Sequence, residues 1–453
     1  MNFENKEKTL EMVEKQIEED QIEFIRFEFG DMSGFSRCKV VPARHVRAKS
    51  TRGVNIPLVH LAMDPSCHFA QGTGYSTEIG WGDAAFLPDL STFRTVPWCK
   101  NTALVLTEPC FQGKPVSSYP RYIARQQIDR LNEMGLSLLS AHEHEFYVIG
   151  AESKKPLHAG NLRSSLSIFA ESDLLYEFSR CLQMTGVDVE AIDTEVSPGQ
   201  VEITYKPAFG IRAADNAHIY RTAIKEIAQK RGYIASFMSK PWSDQSGSSA
   251  HFCHSLWDTE GKTSLMHDPS MELGISELAE HWIAGIIAHA PAISLLMAPT
   301  TNCQKRTEPN SFAPTNGTWG IDNRTCALRL KSQGENGMYL ENRMGASASN
   351  PYLTLAATVA AGIDGIKRSL PLPPRVTRDA YNNEDVPPGT KALPSNLKDA
   401  VDAFQGDIVV REAFGEEFCR AFLAIKRLEL EIEQESSETG KPLWEYNSYF
   451  VMT

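Results

Sequence analysis

Carboxylates two residues apart on an alternating run are where this chain's chemistry is easiest to name. Ala141-His142-Glu143-His144-Glu145-Phe146 follows Leu136-Ser137-Leu138-Leu139-Ser140 and reads as the end of a buried strand. Strand side chains alternate between faces, so Glu143 and Glu145 share one face while His142, His144 and Phe146 take the other. Two carboxylates held this close repel, and need a cation, a proton or water. Taken alone, such a pair is an ordinary solvated face. Downstream, however, come Glu190, Glu195, Glu202, His251 and Glu341, each on an expected strand or its edge, with Arg306, Arg324, Arg329 and Arg343 among them.

Five of these carboxylates, Glu143, Glu145, Glu195, Glu202 and Glu341, together with His251 could hold two or three divalent metals. Hard oxygen donors favour magnesium or manganese over zinc. Each arginine taken singly is a surface ion pair. Several together point to an anionic substrate, and metals beside arginines make phosphoryl transfer the natural reaction class. No P-loop, Gly-x-Gly-x-x-Gly fingerprint or Gly-x-Ser-x-Gly elbow occurs, so a nucleotide must bind in some other way.

The elements that must position these groups follow from periodicity. Leu10, Val13 and Ile17 predict a first amphipathic helix, and Ile25 to Phe29 with Phe35 to Val41 predict a hairpin. Ser50 to Gly82 shows no sustained period and reads as long loops, followed by strands at Ala84 to Pro88 and Ala103 to Leu106. A Gly/Pro/Ser-rich boundary then divides the chain into domains 1–112 and 113–453. In the second, helices are predicted at Arg121 to Met134, at Phe169 to Thr185, and up to Gly232, with a strand at Tyr233 to Met238. Gln200, Glu202 and Thr204 share one strand face; so do His251, Cys253 and Ser255, and so do Tyr339, Glu341 and Arg343. Trp282 to Met297 reads as one core helix, another begins at Asn350-Pro351, and a charged helix at Glu416 to Thr439 precedes an aromatic tail, Trp444 to Phe450.

At 453 residues the chain can bury a large core, and its formal charge of 45 minus 57, or -12, disfavours nucleic acid or an anionic membrane as main partner. The nine cysteines are scattered without a Cys-x-x-Cys spacing, and Met1 to Asp20 is polar and acidic, so the expectation is a cytoplasmic protein with reduced thiols.

These residues resemble the class I glutamine synthetase superfamily. The resemblance is carried by Glu143-His144-Glu145-Phe146, Glu195-Val196-Ser197-Pro198-Gly199-Gln200-Val201-Glu202, Gly247 to His251, Asn323-Arg324-Thr325 and Asn350-Pro351-Tyr352-Leu353. Within it, Leu90-Ser91-Thr92-Phe93-Arg94, Pro97-Trp98, Tyr233 to Phe237 and His254-Ser255-Leu256-Trp257-Asp258 are similar to the lengsin branch, known for a lens protein without synthetase activity. The resemblance implies an α+β fold: a small β-grasp N-terminal domain, and a large catalytic domain with an antiparallel sheet backed by helices. It further implies a dodecamer of two stacked hexameric rings, with the aromatic tail as tether between rings unless that tail is simply a packed terminus.

By position, the resemblance makes Glu145, Glu195 and Glu202 ligands of one metal and Glu143, His251 and Glu341 ligands of another. Arg306, Arg343 and the Gly247 backbone would hold glutamate, Arg324 and Arg329 the transferring phosphate, and Glu190 and Ser255 would face ATP. The implied reaction phosphorylates the γ-carboxylate of glutamate, and a nitrogen nucleophile then displaces phosphate. Ammonia-using members carry a flap glutamate and an N-terminal aspartate to receive ammonium. Here Phe312 stands at the flap position, and Gly53-Val54-Asn55-Ile56 lacks the aspartate, with Asp64 the nearest substitute. An aromatic flap suits an organic amine better than ammonia. Cys253 and Tyr339 stand where histidine and arginine are usual, which leaves open a catalytically silent structural, scaffolding or chaperone-like protein of the cytoskeleton.

Overall fold

The computed structural model describes residues 3–308, 311–332, 337–440 and 444–453. A first helix, Phe3–Glu19, leads into a seven-stranded sheet made of β1 (Phe24–Gly30), β2 (Ser36–Pro42), β3 (Val54–Pro57), β4 (Asp83–Pro88), β5 (Arg94–Thr95), β6 (Thr102–Phe111) and β7 (Lys114–Pro115). Its order is β2-β1-β6-β4-β3, with β1 and β6 parallel and the other pairs antiparallel. Ile25, Phe27 and Phe29 supply its core against Phe86, Ala103 and Val105, as their alternation requires. The stretch expected to be loop from Ser50 to Gly82 contains β3 and the end of a helix, Val46–Arg52. At four residues, β3 offers only Val54 and Ile56 as buried positions, too few to register as a period.

The second sheet has nine strands: β8 (Leu136–Gly150), β9 (Val189–Thr194), β10 (Gln200–Tyr205), β11 (Ala208–Phe209), β12 (Tyr233–Ser236), β13 (Ala250–Asp258), β14 (Trp319–Ile321), β15 (Leu328–Lys331) and β16 (Tyr339–Asn342). Their order is β14-β15-β16-β13-β8-β10-β9, with β11 and β12 also on β8. The sheet is antiparallel except for the β14–β15 pair, which is parallel. Together the two sheets and their helices make the α+β architecture that the sequence predicts.

Helices cover the dry face. The helix Pro351–Lys367 starts where Asn350 accepts a hydrogen bond from the Tyr352 N–H at 3.0 Å. It lies so close to the helix Glu277–Ala288 that a Cβ on Gly285 would come 2.3 Å from the Ala361 carbonyl oxygen, and one on Gly365 would come 2.1 Å from that of His281. Only glycine fits at either position.

The single helix expected over 282–297 is in fact two, Glu277–Ala288 and Ala290–Met297, meeting at His289. Pro291, in the first turn of the second, has no N–H to continue the ladder and would clash with the preceding turn. Likewise 169–185 is split into Ser165–Ala170 and Ser172–Met184, and the strand from Tyr233 stops at Ser236. The aromatic tail forms the helix Trp444–Tyr449 and packs on its own chain, with the Phe450 ring 4.3 Å from Tyr446 and 5.6 Å from Trp242. All nine cysteines are unpaired, and among the described residues no helix is long and apolar enough to cross a membrane.

His289 ties the break to its surroundings, with Nδ1 2.6 Å from Asp407 and Nε2 2.9 Å from Asp364. Burial alone would lower its pKa, but the hydrogen bonds and charges of Asp407 and Asp364 outweigh burial and raise it above 6.5. The imidazolium is therefore stabilised by folding. Its contribution is complete below the unfolded value near 6.5 and is lost as pH rises through the higher folded value. Melting of His289→Gln followed between pH 5.5 and 8.5 should show a deficit against wild type that is largest at the acid end and shrinks towards the alkaline end.

Candidate active site

Strand register assembles the cluster. On β8, Glu143 lies opposite His251 of β13 and Glu145 lies opposite Glu202 of β10. Cys253 of β13 in turn faces Glu341 of β16, and Glu341 faces Arg329 of β15. His142 and His144 point the other way and are fully buried, as the alternation requires. Glu143, His251 and Glu341 bring ligand atoms within 4.8 Å of one another. Among the described residues no other set of three acidic, histidine or cysteine ligand atoms gathers as closely, so Glu145, Glu195 and Glu202 form a looser group.

The two halves differ electrostatically. Burial and then the neighbouring Glu195 raise the Glu145 carboxyl above the usual carboxylate value, and burial and then Glu145, Glu143 and Glu195 raise Glu202. Burial also raises Glu195. This half is short of positive charge. Glu341 is the opposite case: burial alone would raise it, but the charges of Arg343 and Arg329 hold it below the usual carboxylate value. Arg329 Nη1 donates to Glu341 at 2.9 Å, and Arg343 Nη1 also pairs with it. Burial, reinforced by Arg343, keeps His251 neutral, with Nδ1 3.5 Å from Glu341 and 3.8 Å from Glu143.

The buried Arg306 donates to Ser249 Oγ at 3.1 Å and to the Arg343 and Met344 carbonyls at 3.0 and 2.7 Å. Gly247 is required beside it, because a Cβ there would come 2.5 Å from Arg306 Cβ. Arg343 Nη2 donates to the Phe312 carbonyl at 3.1 Å, tethering a segment whose aromatic ring stays 56% exposed. Arg324 is exposed, yet close enough for its charge to act on Glu195 and His251. Ser255 is buried and accepts from Trp257 Nε1 at 2.8 Å, whereas Glu190 is exposed on β9, at the sheet edge. Cys253 Sγ donates to Glu143 at 3.4 Å, while His254, on the opposite face, accepts from Trp282 Nε1. Asp64 is occupied by the His68 backbone N–H at 2.8 Å and ring at 2.9 Å.

Sequence reasoning passed over the residues that hold this face together. Gln200 Nε2 reaches the Gly247 carbonyl and Ser248 Oγ, both at 3.1 Å. The Ser249 N–H donates to Glu145 at 2.9 Å, and Ser347 Oγ donates to the Glu145 carbonyl at 2.5 Å. Gln200 had a signal in sharing the strand face of Glu202, whereas Ser249 and Ser347 lie in runs of small polar residues, which is also how any loop reads. Asp322, which pairs with Arg329, stands next to the Asn323-Arg324-Thr325 motif and could have been found from it.

The donor set fits a hard divalent cation: two carboxylates, an imidazole whose Nε2 is buried without a hydrogen-bond partner, and further carboxylates alongside that lack compensation.

Comparison with known proteins bears directly on this geometry. The family described as glutamine synthetase, catalytic domain, matches residues 117–449, and the chain belongs to the glutamine synthetase family. In particular, it is 35% identical to rat (Rattus norvegicus) lengsin over 97% of this chain and 77% of that protein. It is 32% identical to a glutamate–isopropylamine ligase of Pseudomonas sp over 99% of both. A solved structure titled as a GmaS/ADP complex superposes with a TM-score of 0.82 at 27% identity, over 93% of this chain and 96% of that one.

A cation held by the native state alone stabilises it by about 2.7 kcal/mol at 100 times its dissociation constant. Magnesium or manganese should therefore raise the melting temperature by a few degrees, and Glu341→Gln should remove most of that rise. An unchanged rise in the variant would place the ion elsewhere.

Proposed function

We propose that this protein is an ATP-dependent ligase that joins the γ-carboxylate of glutamate to an organic amine, in preference to ammonia, through γ-glutamyl phosphate. The observation that carries this reading is the convergence of Glu143, His251 and Glu341 beside the uncompensated Glu145 and Glu202, in a chain of this family. Glu145, Glu195 and Glu202 would hold one Mg2+ or Mn2+, and Glu143, His251 and Glu341 a second, with two or three ions per site. A divalent cation there supplies charge neutralisation for the phosphates of ATP.

The remaining work falls to side chains. Arg306, fixed by Ser249 and two backbone carbonyls, and Arg343 hold the carboxylates of glutamate over the Gly247 backbone. Arg324 and Arg329 offset the charge of the moving phosphoryl group, and Glu190 and Ser255 face the nucleotide. Arg329 and Arg343 both pair with Glu341, which keeps their guanidiniums beside the carboxylate cluster where anionic substrates would bind. The alkylammonium first gives one proton to solvent; its free amine then attacks the acyl carbon, the acyl–oxygen bond breaks to release inorganic phosphate, and the second proton passes from nitrogen to the departing phosphate. Phe312 offers an exposed aromatic wall for an alkylammonium, and Asp64, held by His68, is not available to replace the missing acid. The similarity to a protein named glutamate–isopropylamine ligase supports an organic amine.

In the same reading the chain divides into domains 1–112 and 113–453, acts in the cytoplasm, and assembles as a dodecamer of two hexameric rings. A second reading, a silent lengsin-like structural, scaffolding or chaperone-like protein of the cytoskeleton, is favoured by one observation. Glu341 and Glu143 already have partners in Arg329, Arg343 and Cys253 without any metal. Against it stand Glu145 and Glu202, whose burial costs stability unless a cation is bound.

Phosphate release from ATP and glutamate, measured across ammonia and primary alkylamines, separates the two. The ligase reading expects higher kcat/KM with an alkylamine than with ammonia. It also expects Phe312→Ala to lower the alkylamine value about three- to tenfold while sparing ammonia, the size of one cation–π contact. No release with any amine leaves the structural reading.

A further inference from the structure

Away from the carboxylate cluster, a cleft of about 480 Å³ opens between the β1–β2 hairpin, the helix Arg212–Lys230, β12 and the last residues of the chain. Its wall contains groups that the proposed reaction does not use. Glu28 is 1% exposed and its Oε2 has no hydrogen-bond partner. Arg221, 5% exposed, spends Nη1 on the Ser349 carbonyl at 2.8 Å and leaves Nε unpartnered. Lys225 gives one N–H to the Thr453 carbonyl at 2.9 Å and sits 5.1 Å over the Phe35 ring, with N–H groups to spare. Glu226, by contrast, is taken up by Arg26 and by Trp98 Nε1. Phe35, Ile234, Val451 and Met452 make the rest of the wall largely apolar.

We infer that this cleft binds a small zwitterion with an apolar body, an α-amino acid of the leucine type, its ammonium on Glu28 and its carboxylate on Lys225 and Arg221. The argument is one of complementarity. Glu28 Oε1 is reached by Arg26 Nη1 at 3.4 Å, but one buried acceptor atom, Glu28 Oε2, and one buried donor atom, Arg221 Nε, remain without partners on residues of the same cavity wall, and each carries an energetic penalty until matched. A pure anion would satisfy Arg221 and Lys225 but leave Glu28 Oε2 without a donor, and a pure cation would leave Arg221 Nε without an acceptor. The volume lies within the range of small-molecule pockets, and the apolar walls suit an aliphatic side chain. Burial, opposed by Arg26, pushes the Glu28 carboxyl up to about 7, as expected of an acid still short of positive charge. The cleft also touches the active-site framework, since Arg221 holds Ser349 in the loop whose Ser347 donates to the Glu145 carbonyl.

Cysteine chemistry tests this site specifically. Cys38 lines the cleft, is exposed, and lies directly opposite Glu28 in the strand pair. Cys67 is exposed outside the cleft, and Cys253 reports on the carboxylate sheet. Alkylation of the full chain is followed peptide by peptide with L-leucine, 4-methylpentanoate or isopentylamine present. L-Leucine should slow modification of Cys38, about fivefold at about four times its dissociation constant, and leave Cys67 unchanged. Glu28→Gln and Lys225→Met, each checked for wild-type melting, should both lose the protection; two variants guard against one failing to fold. Four results would overturn the inference: no protection of Cys38, equal protection by 4-methylpentanoate or isopentylamine, protection of Cys253 alone, and protection undiminished in both variants.

Discussion

Repulsion between carboxylates fixed by strand register is the constraint on which the rest of this structure depends. Glu145 and Glu202 face each other across an antiparallel pair, with Glu143 two residues away on the same face. Nothing in a sheet lets them separate, because a one-residue slip would turn every side chain of the strand to the other face. The fifteen-residue β8 prevents such a slip by pairing with four other strands. Fully buried Phe146, Val201 and Ile203 then pin its dry face. The framework is built to hold charges where they would not stay unaided.

Compensation for that repulsion is uneven across the sheet. Around Glu341, two arginines and a neutral histidine give the carboxylate partners, and the ionised form is favoured. Glu145 feels the charges of Arg306 and Arg343, but burial and the neighbouring carboxylates outweigh them, and Glu202 is raised in the same way. Loops complete the frame: Gly247 allows the chain to pass against Arg306, and Ser249 and Ser347 fasten Glu145 from two sides. Arg343 links this electrostatic core to the Phe312 segment through a single carbonyl contact.

The departures from the ammonia-using pattern fall on the same frame. Cys253 occupies a strand position between Glu143 and Glu341, where its thiol donates a weak hydrogen bond and burial pushes its pKa up. Tyr339 lies beside Lys331, whose ammonium is 5.4 Å from the ring. Neither residue disturbs the register around Glu341. The sheet tolerates them because both side chains project from the face rather than into the packing.

Period-two alternation was enough to place Glu143 and Glu145 on one face and to bury His142 and His144, since local stereochemistry alone fixes that choice. Charge types and spacing likewise pointed to a cation-dependent anion site, and helix periods and caps marked Pro351–Lys367 well. The two-residue β5, the four-residue β3, the break at His289 and the helix within 46–52 were not legible, because they are set by neighbours rather than by a local period. Only tertiary structure decided that Glu341 lies with Arg329 and Arg343, that Gln200, Ser249 and Ser347 support the site, and that the aromatic tail folds onto its own chain. Those contacts join residues far apart in sequence, and no local pattern encodes which distant partner will arrive. The residues themselves determined what chemistry was possible; the pairing of strands and the meeting of loops determined which of them could perform it together.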